Sequence, residues 1–481
     1  MTIMILRQYP IVLFLLLLTG ACDKEDPIQP GAITVDDQLI FEAGRGQQLS
    51  VTATVIAEDG ISRVTVKSIY EDQDIMVPEN ATEITFALEF EVPSDAVLGT
   101  IYPIDIEVVD YDDDKLIITK NVVTAPLIVK PDQYSFQREG ISTVSYSGQD
   151  ERLDMVDAIK QYLQRGDEGQ VINAEVLLNA YENVGGNGNG LYAFSSSKQL
   201  KDKTFAPDLD VKFFETLFDE AAAASQLSAQ GIRAENGQAG LMVRENNGKT
   251  MLLNAKGREF TQLIEKGLMG SVMYNQIYNT YLTDSRIGNE VENTELVEGM
   301  LYTPMEHHWD EAFGYWNPPV DFSSNWPEDR AGEDRFWSHY SNTVDPLLKT
   351  NDQVMTAFME GRTAIVNNDL EAKDDQRAVL YNKLELVAAA VAVHYINATL
   401  SSLNDGKTGE AFHTLSEAWA FVNALKYSPI RKMQLEDIER IKESHFGSEG
   451  NFWNVTPEGL NIAREMIVDA YPELSPIKDQ L

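Results

Sequence analysis

The feature that most constrains this chain is a change in hydrophobic period near residue 130. Over residues 33–130 apolar and polar residues alternate in short runs, at 48–56, 61–67, 83–92 and 102–109, rich in Val, Ile and Thr. A period of two places alternate side chains on opposite faces, the pattern of half-buried strands. Turn-forming clusters such as Asp59-Gly60, Ser94-Asp95 and Asp112-Asp113-Asp114 separate the runs. About seven short strands in some hundred residues predict a small all-β sandwich of immunoglobulin-like type, whose expected role is a spacer. The acidic cluster Asp110, Asp112, Asp113 and Asp114 reads as a solvated turn, because no glycine-punctuated calcium loop surrounds it.

Beyond the break the period becomes about 3.6. Apolar residues recur at helical spacing over 151–163, 211–227, 260–282, 354–365, 378–403, 411–425, 438–441 and 462–470. The expectation is an all-α helix-bundle domain over residues 133–481, which with the sandwich before it makes the fold mainly α. The glycine-rich loop 185–190 lacks the lysine and the strand-to-helix setting of a phosphate-binding loop, and Lys249-Thr250 fares no better. Both read as ordinary loops.

At the N-terminus Arg7 precedes an apolar run over residues 11–18, which has the length of a signal peptide and is too short to span a bilayer. Thr19, Gly20 and Ala21 are small, and Cys22 follows as the single cysteine of 481 residues. A lone cysteine has no internal disulfide partner. The arrangement resembles the lipobox of bacterial lipoproteins, with Thr19 where an aliphatic residue is usual. That resemblance implies a signal peptide over 1–21, acylation of Cys22 and a membrane partner through the lipid. Asp23, Lys24, Glu25 and Asp26 open an acidic tether, 22–32, similar to the export tags of Bacteroidetes lipoproteins on the cell surface. The implied address is the outer membrane, exposed outward. A formal charge of −38 argues against nucleic acid and against anionic lipid surfaces.

No histidine occurs before His307, and all six lie in the helical region: His307, His308, His339, His394, His413 and His445. Thr303 as cap, Pro304 at the first position and Glu306 as the capping-box partner predict a helix start. His308 and Glu311, three apart, then share a face. His413 and Glu417, four apart, do so as well, and Ala420 and Ala424 continue that stripe with side chains small enough for another helix to approach. His394 lies on an apolar face and reads as a core imidazole. If the two His/Glu pairs meet, with a carboxylate such as Glu385, they form a mixed nitrogen and oxygen ligand set suited to iron or zinc.

The stretch from His308 to Glu311 is similar to the His-x-x-Glu part of the imelysin superfamily motif, with Glu306 at the position of the motif glycine. Residues 264–270, 305–315 and 412–421 resemble a Bacteroidetes-rich lipoprotein family of unknown function, domain-of-unknown-function family 4856, read as a distant imelysin relative. The resemblance spans about residues 133–470. It implies an imelysin-like helical fold, an association with iron uptake and an outer-membrane transporter as a partner. Three functions are therefore weighed: a surface binding protein for a metal ion or an iron-containing ligand, an adhesive protein binding glycan or protein through Trp309, Trp316, Trp326 and Trp337, and a metal-dependent hydrolase. The hydrolase is disfavoured: there is no His-Glu-x-x-His motif, no Gly-x-Ser-x-Gly elbow and no free cysteine, so no catalytic residue is assigned.

Overall fold

A computed structural model describes residues 33–481. Cys22, the export segment and the tether lie outside the described residues. The described chain divides into two compact units, one of residues 33–42, 48–91 and 101–123, the other of residues 43–47, 92–100 and 124–481.

The first unit is built on eight strands: β1 (Ile33–Val35), β2 (Ile40–Ala43), β3 (Gln48–Ala57), β4 (Ile61–Lys67), β5 (Asp72–Ile75), β6 (Glu83–Glu91), β7 (Ile101–Asp110) and β8 (Lys115–Thr124). They form one sheet in the order β1-β3-β6 and a second in the order β2-β8-β7-β4-β5. Alternation decides which face is inside: Val51, Ala53, Val55 and Ala57 of β3 are buried, as are Ile104, Ile106 and Val108 of β7. The expected sandwich is present. Asp110 closes the β7–β8 hairpin by accepting the backbone N–H groups of Asp112 and Asp114 at 2.9 and 2.8 Å, so this part of the acidic cluster is a turn device.

The second unit is mainly helical. In chain order come β9 (Gln137–Arg138), β10 (Ile141–Ser142), α1 (Ser147–Asp167), α2 (Ala174–Tyr181), α3 (Lys212–Ser228), β11 (Gly240–Val243), β12 (Thr250–Leu253), α4 (Phe260–Leu268), α5 (Asp284–Ile287) and α6 (Pro304–Trp316). Then follow α7 (Trp337–Leu348), α8 (Thr350–Asn367), α9 (Leu370–Asn404), α10 (Thr408–Ala424), α11 (Leu435–Arg440) and α12 (Pro457–Ala470). One hydrophobic core runs through the unit from Tyr134 to Leu481. At its centre α9 packs between α8 and α10. Its residues 387–393 are all fully buried, and by length and hydropathy it could cross a membrane, but here that apolar surface faces protein. The helix expected over 260–282 is α4 continued by wider, π-type turns at Met269–Tyr274 and Ile277–Tyr281.

The capping box at α6 forms as expected: Glu306 N–H donates to Thr303 Oγ1 at 3.3 Å, and Thr303 N–H donates to Glu306 Oε2 at 2.9 Å. Glu306 has a second task. It and Asp310 are fully buried beside Arg362, whose Nη1 lies 3.1 Å from Glu306 and whose Nε lies 3.0 Å from Asp310. Arg138 adds two bonds to Glu306 at 2.6 Å, and the Tyr134 hydroxyl donates to Asp310 at 2.7 Å. Glu306 is thus a structural anion as well as a cap. Trp309, Trp316 and Trp337 are fully buried, and Trp326 is nearly so. They are core and not a stacking platform, which removes the feature that favoured glycan adhesion.

The expectation of an all-α domain needs correcting at two short hairpins, the first pairing Arg138 of β9 with Ile141 of β10. The β11–β12 hairpin pairs Gly240 with Leu253 through Val243 with Thr250. Four residues per strand are too few to display a period of two.

Candidate functional site

The five residues expected to share a metal fall into three separate groups. His308 on α6 uses both ring nitrogens on one residue: Nδ1–H donates to the Arg286 carbonyl at 2.8 Å, and Nε2 lies 3.3 Å from Arg286 Nη1. Burial and the neighbouring guanidinium hold this imidazole below its ordinary pKa, so it is neutral, and a fixed cation stands where a metal would bind. Glu311 faces His307 at 3.9 Å, four residues back, and accepts Gln149 Nε2 at 3.0 Å. Glu385 on α9 accepts the Ser428 hydroxyl, the Lys432 N–H at 2.9 Å and the Tyr471 hydroxyl at 2.7 Å. These bonds take three of its four lone pairs, and none comes from the other two groups. His413 and Glu417 do meet, with Nε2 and Oε2 3.8 Å apart. The ring's other nitrogen faces Glu259, so the carboxylates lie on opposite sides of the imidazole. Among the described residues no group of three or more His, Cys, Asp or Glu is placed to hold a metal ion. The proposed iron or zinc set of His308, Glu311, His413, Glu417 and Glu385 therefore does not fit one coordination sphere.

What the fold does build is a polar cleft around His413. Three elements converge there, each for a local reason. The hairpin turn reaches α10 through Glu245, whose carboxylate accepts the first free amides of that helix, Gly409 N–H at 3.1 Å and Glu410 N–H at 2.9 Å. Gly409 permits the approach, since a Cβ there would lie 2.1 Å from the Val243 carbonyl oxygen. At the start of α4, Glu259 donates its N–H to Ser416 Oγ at 2.9 Å and holds His413 Nδ1 by its carboxylate at 2.6 Å. The last residue of α1, Asp167, accepts Leu252 N–H from β12 and the Thr261 hydroxyl from α4, both at 2.7 Å. The resulting cleft is about 420 Å³, with Gln164, Asp167, Arg244, Glu259, Gln262 and His413 in its walls.

The charges in this cleft are strained by burial. Desolvation and the charge of Glu259 push the Asp167 carboxyl from 3.8 up to about 7, against the opposing effect of its two hydrogen bonds and of His413. Burial lowers the His413 pKa, but the charge and hydrogen bond of Glu259, with Glu417 beyond, outweigh it and hold the ring above its ordinary value. Arg244 is bound by Glu410 through bonds of 2.7 and 3.2 Å. Behind His413 the network continues inward: Glu417 lies 3.4 Å from Lys266, Lys266 lies 2.7 Å from Glu265, and Lys160 caps Glu265 at 2.7 Å. All nine residues of α4 are buried, so Glu265 and Lys266 persist as charges by pairing. Neutralising this pair would strand a neighbour.

Of this site the sequence shows His413 with Glu417, and not Asp167, Glu259, Gln262, Arg244 or Lys266. One signal was available. Glu265 and Lys266 interrupt an otherwise apolar stretch, and charges buried in a core helix need partners.

A family model described as a domain of unknown function (DUF4856) matches residues 131–472, more than two-thirds of the chain, and takes in every residue of the cleft. No curated protein matches the chain.

Proposed function

From a chain that belongs to the DUF4856 family, whose defining domain carries no assigned activity, we propose a surface lipoprotein that binds a small polar ligand in the His413 cleft. The observation that supports this reading is the convergence of Asp167, Glu259, Gln262 and His413 on one cleft of about 420 Å³, a size that suits a small molecule. Groups with shifted pKa values in a cleft mark sites that act on or hold a ligand. Among the described residues the ring nitrogens of His413 face the carboxylates of Glu259 and Glu417 and not a hydroxyl, so binding is favoured over covalent catalysis. Metal capture, with an outer-membrane transporter as partner, has less support, because its ligands are spread over three groups.

The anchoring rests on Cys22 and its flanking residues. Cells fed a labelled fatty acid are expected to label the wild-type protein and not Cys22→Ser, and label on that variant would defeat the anchoring claim. For the site, a thermal-shift screen of charged and neutral small molecules on the full chain is expected to yield stabilising ligands whose effect disappears in His413→Ala. A ligand whose shift persists in that variant binds elsewhere and counts against the cleft.

A further inference from the structure

The walls of the cleft are not balanced between donors and acceptors, and this imbalance bears on the ligand. Gln262, only 7 % exposed, donates through Nε2 to Glu259 Oε1 at 3.3 Å. Its own Oε1 is buried and has no hydrogen-bond partner among the described residues. Flipping the amide does not help, since it would turn that oxygen toward the Glu259 carboxylate. A buried acceptor without a donor costs roughly 1–3 kcal/mol, and this one belongs to a side chain in the wall of the cleft, so it calls for a donor that enters there. Asp167 is held by a backbone amide and a hydroxyl, both uncharged. Glu259 is held by His413. Glu168 adds a further acid to the wall. On the cationic side, Arg244 is already spent on Glu410, and Lys249 is exposed.

Resting on the binding role proposed above, we infer that the cleft takes a small organic cation, a ligand bearing an ammonium or guanidinium group whose N–H donors meet Gln262 Oε1 and the carboxylates of Asp167 and Glu259. An N–H cation answers all three at once: it supplies several donors to the unsatisfied acceptor and relieves the repulsion between two neighbouring acids. A metal ion would need its ligands to converge on one point, which the described residues do not provide. An anion would meet Asp167, Glu168 and Glu259, and among the described residues of the cleft wall the buried cation, His413, is already held between Glu259 and Glu417.

The test is isothermal titration of the full chain with putrescine and agmatine as cations, citrate as an anion, glucose as a neutral polyol, and zinc chloride for the metal alone. Binding is expected for putrescine or agmatine only. Gln262→Met, which keeps side-chain length and removes the acceptor, is expected to weaken that binding at least tenfold. Gln262→Glu sets a second carboxylate against that of Glu259, so the pair shares a proton in the empty cleft and gives it up to a bound cation, and binding is expected to strengthen as pH rises from about 6 to about 8. Because Asp167→Asn touches groups that tie α1 to the hairpin, the Gln262 pair carries the decision. Binding of citrate, glucose or zinc that is lost in His413→Ala would leave the cleft as a site and overturn the organic-cation assignment. Silence from every probe would overturn the assignment too, and if the wider screen also found no His413-dependent ligand, the binding role would fall with it. Equal cation affinity in wild type, Gln262→Met and Gln262→Glu would likewise overturn it.

Discussion

Asp167 carries the clearest pH signature of the molecule. Its folded pKa, about 7, lies above the 3.8 of a free carboxyl, so the folded state binds a proton that the unfolded chain releases. The stability this contributes is fully present below about pH 4 and is lost as pH rises through 7. His413, raised as well, acts in the same direction at the upper end of that window. Asp167→Asn removes the buried charge and keeps one acceptor. Urea denaturation is expected to show the variant about 1–3 kcal/mol more stable than wild type at pH 8, with no gain at pH 5. A gain equal at both pH values would contradict the assignment. Arg362 gives the opposite lesson. It neutralises Asp310 and, with Arg138, Glu306 where all three of Arg362, Glu306 and Asp310 are out of water, and Arg362→Met leaves Asp310 without a cation and Glu306 with Arg138 alone. Its expected cost is about 3–5 kcal/mol in urea denaturation at pH 7, part of which Asp310→Asn restores when the two are combined.

Among elements, α10 is the one on which the site depends. Its N-terminus is fixed against the β11–β12 turn by Glu245 and by the missing side chain of Gly409. Gly409→Ala inserts a methyl group into a carbonyl contact, and a loss of about 1–3 kcal/mol of stability is expected from overpacking, read as a lower urea midpoint. The same helix shows how far the sequence could be read. The stripe of His413, Glu417, Ala420 and Ala424 lies on one face because of helical spacing alone, and Ala424 does admit a close neighbour: a Cβ on Gly270 would lie 3.2 Å from its own. The capping box at Thr303 was legible for the same reason, being wholly local. Glu259 was not, since it meets His413 from 154 residues away, a pairing no period encodes. Nor was the separation of His308 from His413: a shared His/Glu spacing reports a shared helix face, not a shared place. Short elements such as α2 and the hairpin strands lack the repeats that would announce them.

At the scale of the whole chain the charge of −38 dominates. Self-repulsion of that size favours expanded states and is screened by salt. Raising sodium chloride from about 20 to about 500 mM at pH 7.5 is therefore expected to raise the melting temperature by a few degrees in a scanning fluorimetry series, while a flat or falling series would show that local ion pairs outweigh the general field. The long helix α9 has a further bearing on the chain as a whole. On the export route proposed here an unfolded chain threads a translocon, and a segment apolar enough to cross a bilayer invites lateral escape into it. Several of its polar groups work against that: Asn397 donates to the carbonyls of Lys478 and Leu481, and Thr399 bonds Thr414, all partners that follow it in the chain. During passage those partners are absent, and the bare amide and hydroxyl make lodging in lipid costly. The side chains that lock α9 into the finished bundle thus also favour its release from the membrane it would have to pass.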